Sequence, residues 1–312
     1  MNTRLRFCLT HSADYDGIFS AEIVRHYYKN DVKVIALNYS DKLVSELFEK
    51  FDFTDADIII SDFSFPDDMM QKFVDICHEV VWCDHHKTAI DRITQQPYYT
   101  KIKGCQSTQY SGAELVWAWL YNNGNISDMS KEPDLIRWIG IYDTWRFKDN
   151  KEKEEMLYVQ DGLKAYGITF NSLEFPILLD VGHEKYQTLI DYIVNIGKMK
   201  RSYQLDFQFH LYTPLARTVK FNINGRELTA CAINARCYSD MFMYAYDPKV
   251  HDFCIKYVQS LEGKWGYSVY VMSDKTDRID ATEIVAHISP DHSGGHAGCA
   301  GASTDVLAPE LA

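Results

Sequence analysis

Short apolar segments alternate with helical ones along residues 5–83, and this alternation constrains the fold more than any other feature of the chain. Strands are predicted at the apolar runs 5–9, 32–37, 57–60 and 79–83. Helices are predicted at 18–28, 42–51, 66–77, 111–121 and 133–142. Strands joined by helices pair in parallel, and helices cover both faces of their sheet. We therefore expect an α/β fold in which ligands bind beyond the carboxyl ends of the strands.

The second half of the chain has a different pattern. Alternating runs on both sides of Asn224-Gly225 predict a β-hairpin, and 252–272 predicts a second hairpin, followed by a helix near 281–287. A long helix is predicted at 182–209, and residues 304–312 are expected to be a loose terminus. The predicted divisions are 1–180, an N-terminal domain with a mostly parallel sheet and helices on both faces; 181–210, a helical linker; and 211–312, a smaller α+β C-terminal domain.

Composition and charge limit the classes of function. The 312 residues suggest two domains at about 150 residues each. A formal net charge of −12 argues against binding along duplex DNA, because such binding depends on neutralising phosphates. The eight cysteines form no C-x-x-C pair and predict reduced thiols, and no apolar run approaches the roughly 18 residues of a membrane span. We therefore expect a cytoplasmic protein without a membrane segment.

Acidic and histidine residues follow three of the predicted strands, and one more acidic residue lies at the end of a predicted helix. They are His11, Asp14 and Asp16; Asp62; Asp84, His85 and His86; and Asp143. Several of them have a simpler interpretation when taken singly, such as Asp16 as a helix cap. Three consecutive ionisable groups at the end of a buried strand, however, are costly unless they have partners.

Taken together, these residues predict a metal site. Carboxylates and imidazoles without thiolates suit divalent ions such as Mn²⁺, Mg²⁺ or Co²⁺ better than structural zinc. Four of these aspartates and two of these histidines would already be too many ligands for one ion, but they suit two ions that share a carboxylate. Because two such ions roughly 3.5–4 Å apart promote displacement at phosphorus, the predicted reaction is phosphoester or phosphoanhydride hydrolysis.

These motifs, in this order, resemble those of the DHH phosphoesterases, a family named for the triplet that stands here as Asp84-His85-His86. The resemblance extends to the segment Gly294-Gly295-His296, which is similar to the signature of the DHH-associated C-terminal domain. It implies a two-metal catalytic domain followed by a substrate-binding domain, closest in style to the nanoRNases, which hydrolyse short oligoribonucleotides. The implied cofactors are two divalent cations, with Mn²⁺ favoured and Mg²⁺ or Co²⁺ as alternatives.

The resemblance also implies a role for each matching residue. His11 and Asp14 would hold one ion, Asp16, His85 and Asp143 would hold the other, Asp62 would bridge the two, Asp84 would fix His85 or add a ligand, and His86 would lie near the substrate phosphate or the leaving oxygen. Many members place one or three residues between the histidine and its first aspartate, whereas Ser12 and Ala13 stand between His11 and Asp14. Thr10 is therefore the alternative to His11.

Candidates for substrate binding lie closer to the C-terminus. Gly294 and Gly295 would open backbone N–H groups to phosphate oxygens, and His296 would reach a phosphate or a terminal nucleotide. Arg278 would clamp a phosphate or form a surface salt bridge. An aromatic cluster would stack a base or pack in the core; it consists of Trp138, Tyr142, Trp145 and Phe147.

The expected function is divalent-metal-dependent hydrolysis of short oligonucleotides or dinucleotides, with Asp84 and His86 at the reaction centre. Three alternatives stay open. The chain could hydrolyse a phosphoanhydride or phosphomonoester, such as pyrophosphate, short polyphosphate or a nucleoside bisphosphate; it could be a cyclic dinucleotide phosphodiesterase; or it could bind nucleotides without catalysis. The acidic charge disfavours long polyanions, and a homodimer is also left open.

Overall fold

The computed structural model describes residues 4–39, 41–128, 131–237, 239–272, 275 and 277–312. The chain divides into two compact units, 1–201 and 202–312. The strands and helices that begin in the first unit are β1 (Arg6–His11), α1 (Tyr15–Tyr27), β2 (Lys33–Leu37), α2 (Lys42–Ser45), α3 (Leu47–Lys50), β3 (Asp57–Ser61), α4 (Asp67–Ile76), β4 (Glu79–Cys83), α5 (Lys87–Ile93), α6 (Gly112–Tyr121), α7 (Asp134–Asp143), α8 (Asn150–Tyr166), α9 (Phe175–Leu178) and α10 (Tyr186–Tyr212). The division between the units falls within α10.

The strands of the first unit form the parallel sheet that the sequence predicts. Their order is β2-β1-β3-β4, and every neighbouring pair is parallel. Side chains alternate between the two faces of a strand. Leu9 and Trp82 pack in one apolar cluster with residues of α3, α4 and α5, and Cys8 and Val81 pack in another with residues of α1, α6 and α7. Both faces of the sheet are therefore covered by helices, as predicted.

The second unit is built on a separate sheet. Its elements are β5 (Arg217–Ile223), β6 (Arg226–Ile233), α11 (Phe242–Ala245), β7 (Phe253–Gln259), β8 (Trp265–Tyr270), α12 (Ala281–Ile288), β9 (Ser293–His296) and β10 (Cys299–Thr304). The strand order is β5-β6-β7-β8-β10-β9, in which β6 and β7 are parallel and the other neighbours are antiparallel. Ile284 and Val285 of α12 are buried in the apolar cluster of this sheet. Both predicted hairpins are confirmed.

Three local expectations change. The segment 42–51, predicted as one helix, is two short helices that meet at Glu46. Helix α8 is not predicted, because its sequence is highly charged, although Asp149 caps its start by accepting the Glu152 N–H at 2.8 Å. The predicted loose terminus is wrong. Ala308 and Leu311 are buried against the second sheet, and Arg217 donates to the Leu311 carbonyl oxygen.

Two expectations from composition also meet the structure. None of the described helices has both the length and the hydropathy that crossing a lipid bilayer requires. All eight cysteines are free thiols, and the two that are not buried are Cys77 and Cys299. The prediction of reduced, mostly buried thiols is consistent with this placement.

Candidate metal centre

The parallel sheet carries three of the candidate segments to the same edge. His11 is the last residue of β1, Asp62 follows β3 directly, and Asp84 follows β4 directly. These strands are neighbours in the sheet, and their carboxyl ends point the same way. The side chains that the sequence spreads over more than 70 positions therefore meet at one place.

The first set of donors is the His11 group, made of His11, Asp14 and Asp62. His11 Nδ1 lies 3.2 Å from Asp14 Oδ2 and 3.8 Å from Asp62 Oδ2. Asp14 also caps α1, because its Oδ1 accepts the Gly17 N–H at 3.0 Å. Burial raises the pKa of Asp14, but the hydrogen bonds from His11 and Gly17 outweigh it and bring the pKa below its usual value. The cap is thus Asp14, whereas the simpler interpretation in the sequence assigned that role to Asp16.

Thr10, the alternative to His11, lies outside this group. Its side chain is fully buried and donates a hydrogen bond to the Gly17 carbonyl oxygen at 2.8 Å. It therefore fastens the end of β1 to the start of α1, while His11 is the residue whose ring nitrogen faces the two carboxylates.

The second set of donors is the His85 group, made of Asp16, His85 and Asp143. His85 Nε2 lies 3.8 Å from Asp16 Oδ2 and 3.2 Å from Asp143 Oδ2, and in each group the donor atoms lie within 4.8 Å of one another. Asp16 is buried and accepts the backbone N–H groups of Gly112 and Ala113 at 2.6 and 2.9 Å. The start of α6 thus holds Asp16 in place, because helix N-termini favour carboxylates.

Asp62 lies between the two groups. Its Oδ1 is 3.1 Å from His85 Nε2, and its Oδ2 faces His11 Nδ1. The residue is buried and has a left-handed backbone, with φ of +50°. Burial, followed by the charge of Asp16, raises its pKa well above the ordinary value. Oδ2 has no hydrogen-bond partner among the described residues, and a buried carboxylate oxygen is costly in that state unless a cation meets it. The donors therefore fit two divalent cations that share Asp62.

Burial and crowding govern the titration of the other two members of the His85 group. Burial, together with the nearby Asp16 and Asp14, raises the pKa of Asp143 to about 8. Burial lowers the pKa of His85. A lowered pKa favours the neutral imidazole, and the neutral imidazole is the form in which histidine binds a metal.

Asp84 organises the segment that follows β4. Its Oδ1 accepts the backbone N–H of His85 at 2.8 Å and the Nδ1–H of His86 at 2.7 Å. The sequence predicted that Asp84 fixes His85; its side-chain partner is the His86 ring, and it meets His85 through the backbone alone. The His86 side chain is 39% exposed, and the hydrogen bond to Asp84 raises its pKa. Together with Asp62, these three residues form a further set of possible ligands.

Glu114 and Arg146, which support the site, were missed in the sequence. Glu114 and Ser111 form a capping box at the start of α6, for which the Ser-x-x-Glu spacing was an available signal. Arg146, three residues after Asp143, forms an ion pair with the buried Glu114 and donates to Thr144 Oγ1 at 2.6 Å. No local signal pointed to this ion pair, because its partners are 32 residues apart.

The C-terminal candidates lie in the second unit. Gly294 and Gly295 are in β9, the edge strand of its sheet. Gly295 has a φ of +143°, and a Cβ there would be 2.5 Å from Ala300 Cα, so the close approach of β10 requires glycine. The side chain of His296 lies outside the described part of the chain. Arg278 is in an exposed ion pair with Asp277, with 3.6 Å between Nε and Oδ1.

The comparisons with known proteins add little. No family model matches the chain, and no curated protein matches it. Among solved structures, an uncharacterized protein from Helicobacter pylori G27 is similar at 13% identity, covering 98% of this chain and 94% of that one, with a TM-score of 0.38. CDC45 from Entamoeba histolytica is similar at 10% identity, covering 97% and 92%, with a TM-score of 0.45. Similarities this weak identify neither a family nor an activity for this chain.

Proposed function

We propose that this chain is a phosphodiesterase of the DHH type, dependent on divalent metal ions, that hydrolyses short oligonucleotides or dinucleotides. The observation that carries the proposal is the position of Asp62. One of its oxygens lies 3.1 Å from His85 and the other lies 3.8 Å from His11, so a single buried carboxylate faces both donor groups. This is the arrangement expected when two cations share one carboxylate.

The residues of the chain divide the work of hydrolysis. His11, Asp14 and Asp62 would hold one cation, and Asp16, Asp62, His85 and Asp143 would hold the other. When bound, two divalent cations supply the charge that activates water and neutralises the phosphate. Overall, a bond forms between the water oxygen and phosphorus, the bond from phosphorus to the leaving oxygen breaks, and a proton ends on the leaving oxygen. His86 contacts the phosphate or the leaving oxygen, because Asp84 holds its Nδ1 and leaves Nε2 for substrate.

The charge of the chain supports a short substrate. The formal net charge is −12, and two divalent cations would cancel only four of these charges. The local field at the donor groups would favour a phosphate, whereas the remaining surface would repel a long polyanion. A dinucleotide or a short oligonucleotide satisfies both conditions, and Mn²⁺ is the cation proposed first, with Mg²⁺ and Co²⁺ next.

Product analysis on a panel of substrates tests this function. The panel holds labelled RNA and DNA oligomers of two to ten nucleotides, cyclic dinucleotides, a nucleoside bisphosphate and pyrophosphate, each with Mn²⁺. We expect turnover of the shortest oligomers and a loss of about 10³-fold or more in Asp62→Asn and His85→Ala, since each removes several kcal/mol of charge stabilisation. Calorimetry should show Mn²⁺ binding weakened at least about tenfold in the same variants.

The surface pair His78 and Asp57 provides a matched control. Its Nδ1–Oδ1 distance is 2.8 Å, and it lies at the amino ends of β3 and β4, at the opposite edge of the sheet. His78→Ala should leave turnover and Mn²⁺ binding unchanged. Turnover that survives in Asp62→Asn would contradict the two-metal assignment. Turnover of pyrophosphate alone would show that the chain is a phosphoanhydride hydrolase.

A further inference from the structure

A stack of two aromatic rings stands beside the candidate metal centre. The Tyr39 ring lies 4.3 Å from the Phe63 ring, and the planes are nearly parallel at 13°. Phe63 is fully buried, packs against Phe65 at 4.9 Å, and has its carbonyl oxygen held by the Trp82 indole N–H. The Tyr39 hydroxyl accepts the Ser64 N–H at 3.2 Å. The stack on Phe63 and the hydrogen bond to the hydroxyl therefore hold the Tyr39 ring in place.

Among the described residues, no aromatic ring covers the outer face of Tyr39, the face turned away from Phe63. The residue is 52% exposed although Phe63 covers one face of its ring. The His11 ring is 5.7 Å from Tyr39 and 6.2 Å from Phe63. A ring over the outer face of Tyr39 would be roughly twice the stacking distance from Phe63, so His11 stands alongside the stack and does not cover that face.

We propose that Tyr39 is the stacking platform for the nucleobase next to the scissile phosphate, which selects nucleotides over pyrophosphate; this inference rests on the proposed function. Tyr39 is half-exposed and lies beside His11, a proposed metal ligand, so its ring offers a flat apolar surface next to the position of the phosphate. Stacking tolerates any base, since every base has a π-face. Because Phe63 and Ser64 fix the ring before substrate arrives, little side-chain entropy is lost on binding.

Binding measurements on the full chain with Mg²⁺ test the platform without turnover. The probes are adenosine 5′-monophosphate and inorganic phosphate, and the variants are Tyr39→Leu and Tyr39→Phe. Tyr27→Leu is the control, because Tyr27 is 43% exposed but lies at the far end of α1, about 20 Å along the helix from Asp14. We expect Tyr39→Leu to weaken the nucleotide about tenfold and to leave phosphate within twofold. Tyr27→Leu should match the wild type, and Tyr39→Phe should stay within about twofold of it, because the ring and its stack on Phe63 remain although the hydroxyl that accepts the Ser64 N–H is lost. Upfield ring-current shifts of the adenine protons should vanish only in Tyr39→Leu.

The possible outcomes separate this inference from the proposed function. Three results would each overturn the platform. Tyr39→Leu could bind the nucleotide as tightly as the wild type does, or it could lose as much affinity for phosphate as for the nucleotide. The third result is a wild-type chain that binds no nucleotide. Hydrolysis that depends on Asp62 together with nucleotide binding indifferent to Tyr39 keeps the function and removes the platform. Nucleotide binding that depends on Tyr39 in a chain that hydrolyses no phosphodiester does the reverse.

Discussion

Trp145 has a left-handed backbone, with φ of +55°, two residues after the end of α7, where Thr144 is the cap. Its N–H donates to the Tyr142 carbonyl oxygen at 3.3 Å, and the Arg146 N–H donates to that of Ile141 at 3.0 Å. This pair of bonds is the Schellman motif, in which the left-handed position is usually glycine. The Trp145 side chain is 67% exposed, with the Lys153 ammonium 5.3 Å from its ring centre. The sequence interpretation of this aromatic cluster as core is therefore wrong for Trp145.

The backbone at Trp145 makes a test at the scale of one residue. Trp145→Gly should be more stable than Trp145→Ala by about 1 kcal/mol, since alanine keeps the Cβ that a positive φ disfavours. Urea denaturation measures the difference, and both variants lose the same ring contacts. Leu173 is the control position, because it is exposed and is not among the residues of positive φ. There, the alanine variant should be more stable than the glycine variant. Equal stability of the two Trp145 variants would show that the turn relaxes when the ring is removed.

At the scale of elements, the start of α6 decides how closely the two donor groups approach. Gly112 opens this helix, and its N–H donates to Asp16. A Cβ at Gly112 would lie 2.5 Å from Asp62 Cβ and 3.0 Å from Asp16 Oδ2. The capping box formed by Ser111 and Glu114 was predictable from local spacing, but this contact was not, because it joins segments almost 100 residues apart.

Gly112→Ala tests this close approach. The added methyl group should push α6 away from β3, lowering the free energy of unfolding by about 1–3 kcal/mol and weakening Mn²⁺ binding. Denaturation and calorimetry measure the two effects. Gly266→Ala is the control, because a Cβ there meets only the Val258 carbonyl oxygen, at 3.9 Å. Unchanged Mn²⁺ affinity in Gly112→Ala would mean that α6 does not position Asp16 and Asp62.

At the scale of the whole molecule, the excess of acidic residues is distributed unevenly. The candidate centre concentrates Asp14, Asp16, Asp62, Asp84 and Asp143 at one edge of one sheet. Another acidic group is buried away from this set: Glu132, just before α7, has an Oε1 without a hydrogen-bond partner in the described part of the chain. Burial, and then the charge of Glu114, raises the pKa of Glu132 to about 9.

Glu132 should make the stability of the fold depend on pH. Its folded pKa of about 9 exceeds the ordinary value of 4.5, so the folded state binds the extra proton and stability falls as pH rises between these values. Glu132→Gln keeps the shape of the protonated acid and removes the loss. We expect the variant to gain about 1–3 kcal/mol over the wild type near pH 8 and little near pH 5, by urea denaturation. If the free energy of unfolding changes with pH in parallel for the two proteins, the expectation is wrong. Glu262→Gln is the control, because Glu262 is exposed and the change there should not alter the pH dependence.

Local chemistry in the sequence determined the strands, the parallel sheet and the aspartates and histidines at its carboxyl edge. Apolar spacing, turn residues and strand ends act over a few positions, so they can be recognised without the folded structure. The elements that the sequence failed to predict are those that local patterns do not specify. The charged helix α8 and the buried terminus at Leu311 depend on packing against distant segments, which local patterns do not report.

Tertiary structure alone decided the distances on which function depends. Asp143 comes within 3.2 Å of His85 because α7 folds back to the sheet edge, and Tyr39 stands beside His11 because β1 and β2 are neighbours. The orphaned oxygen of Asp62 arises from the same convergence. Such contacts join segments tens of residues apart, and their geometry is set by the packing of whole elements, which residue types by themselves do not specify.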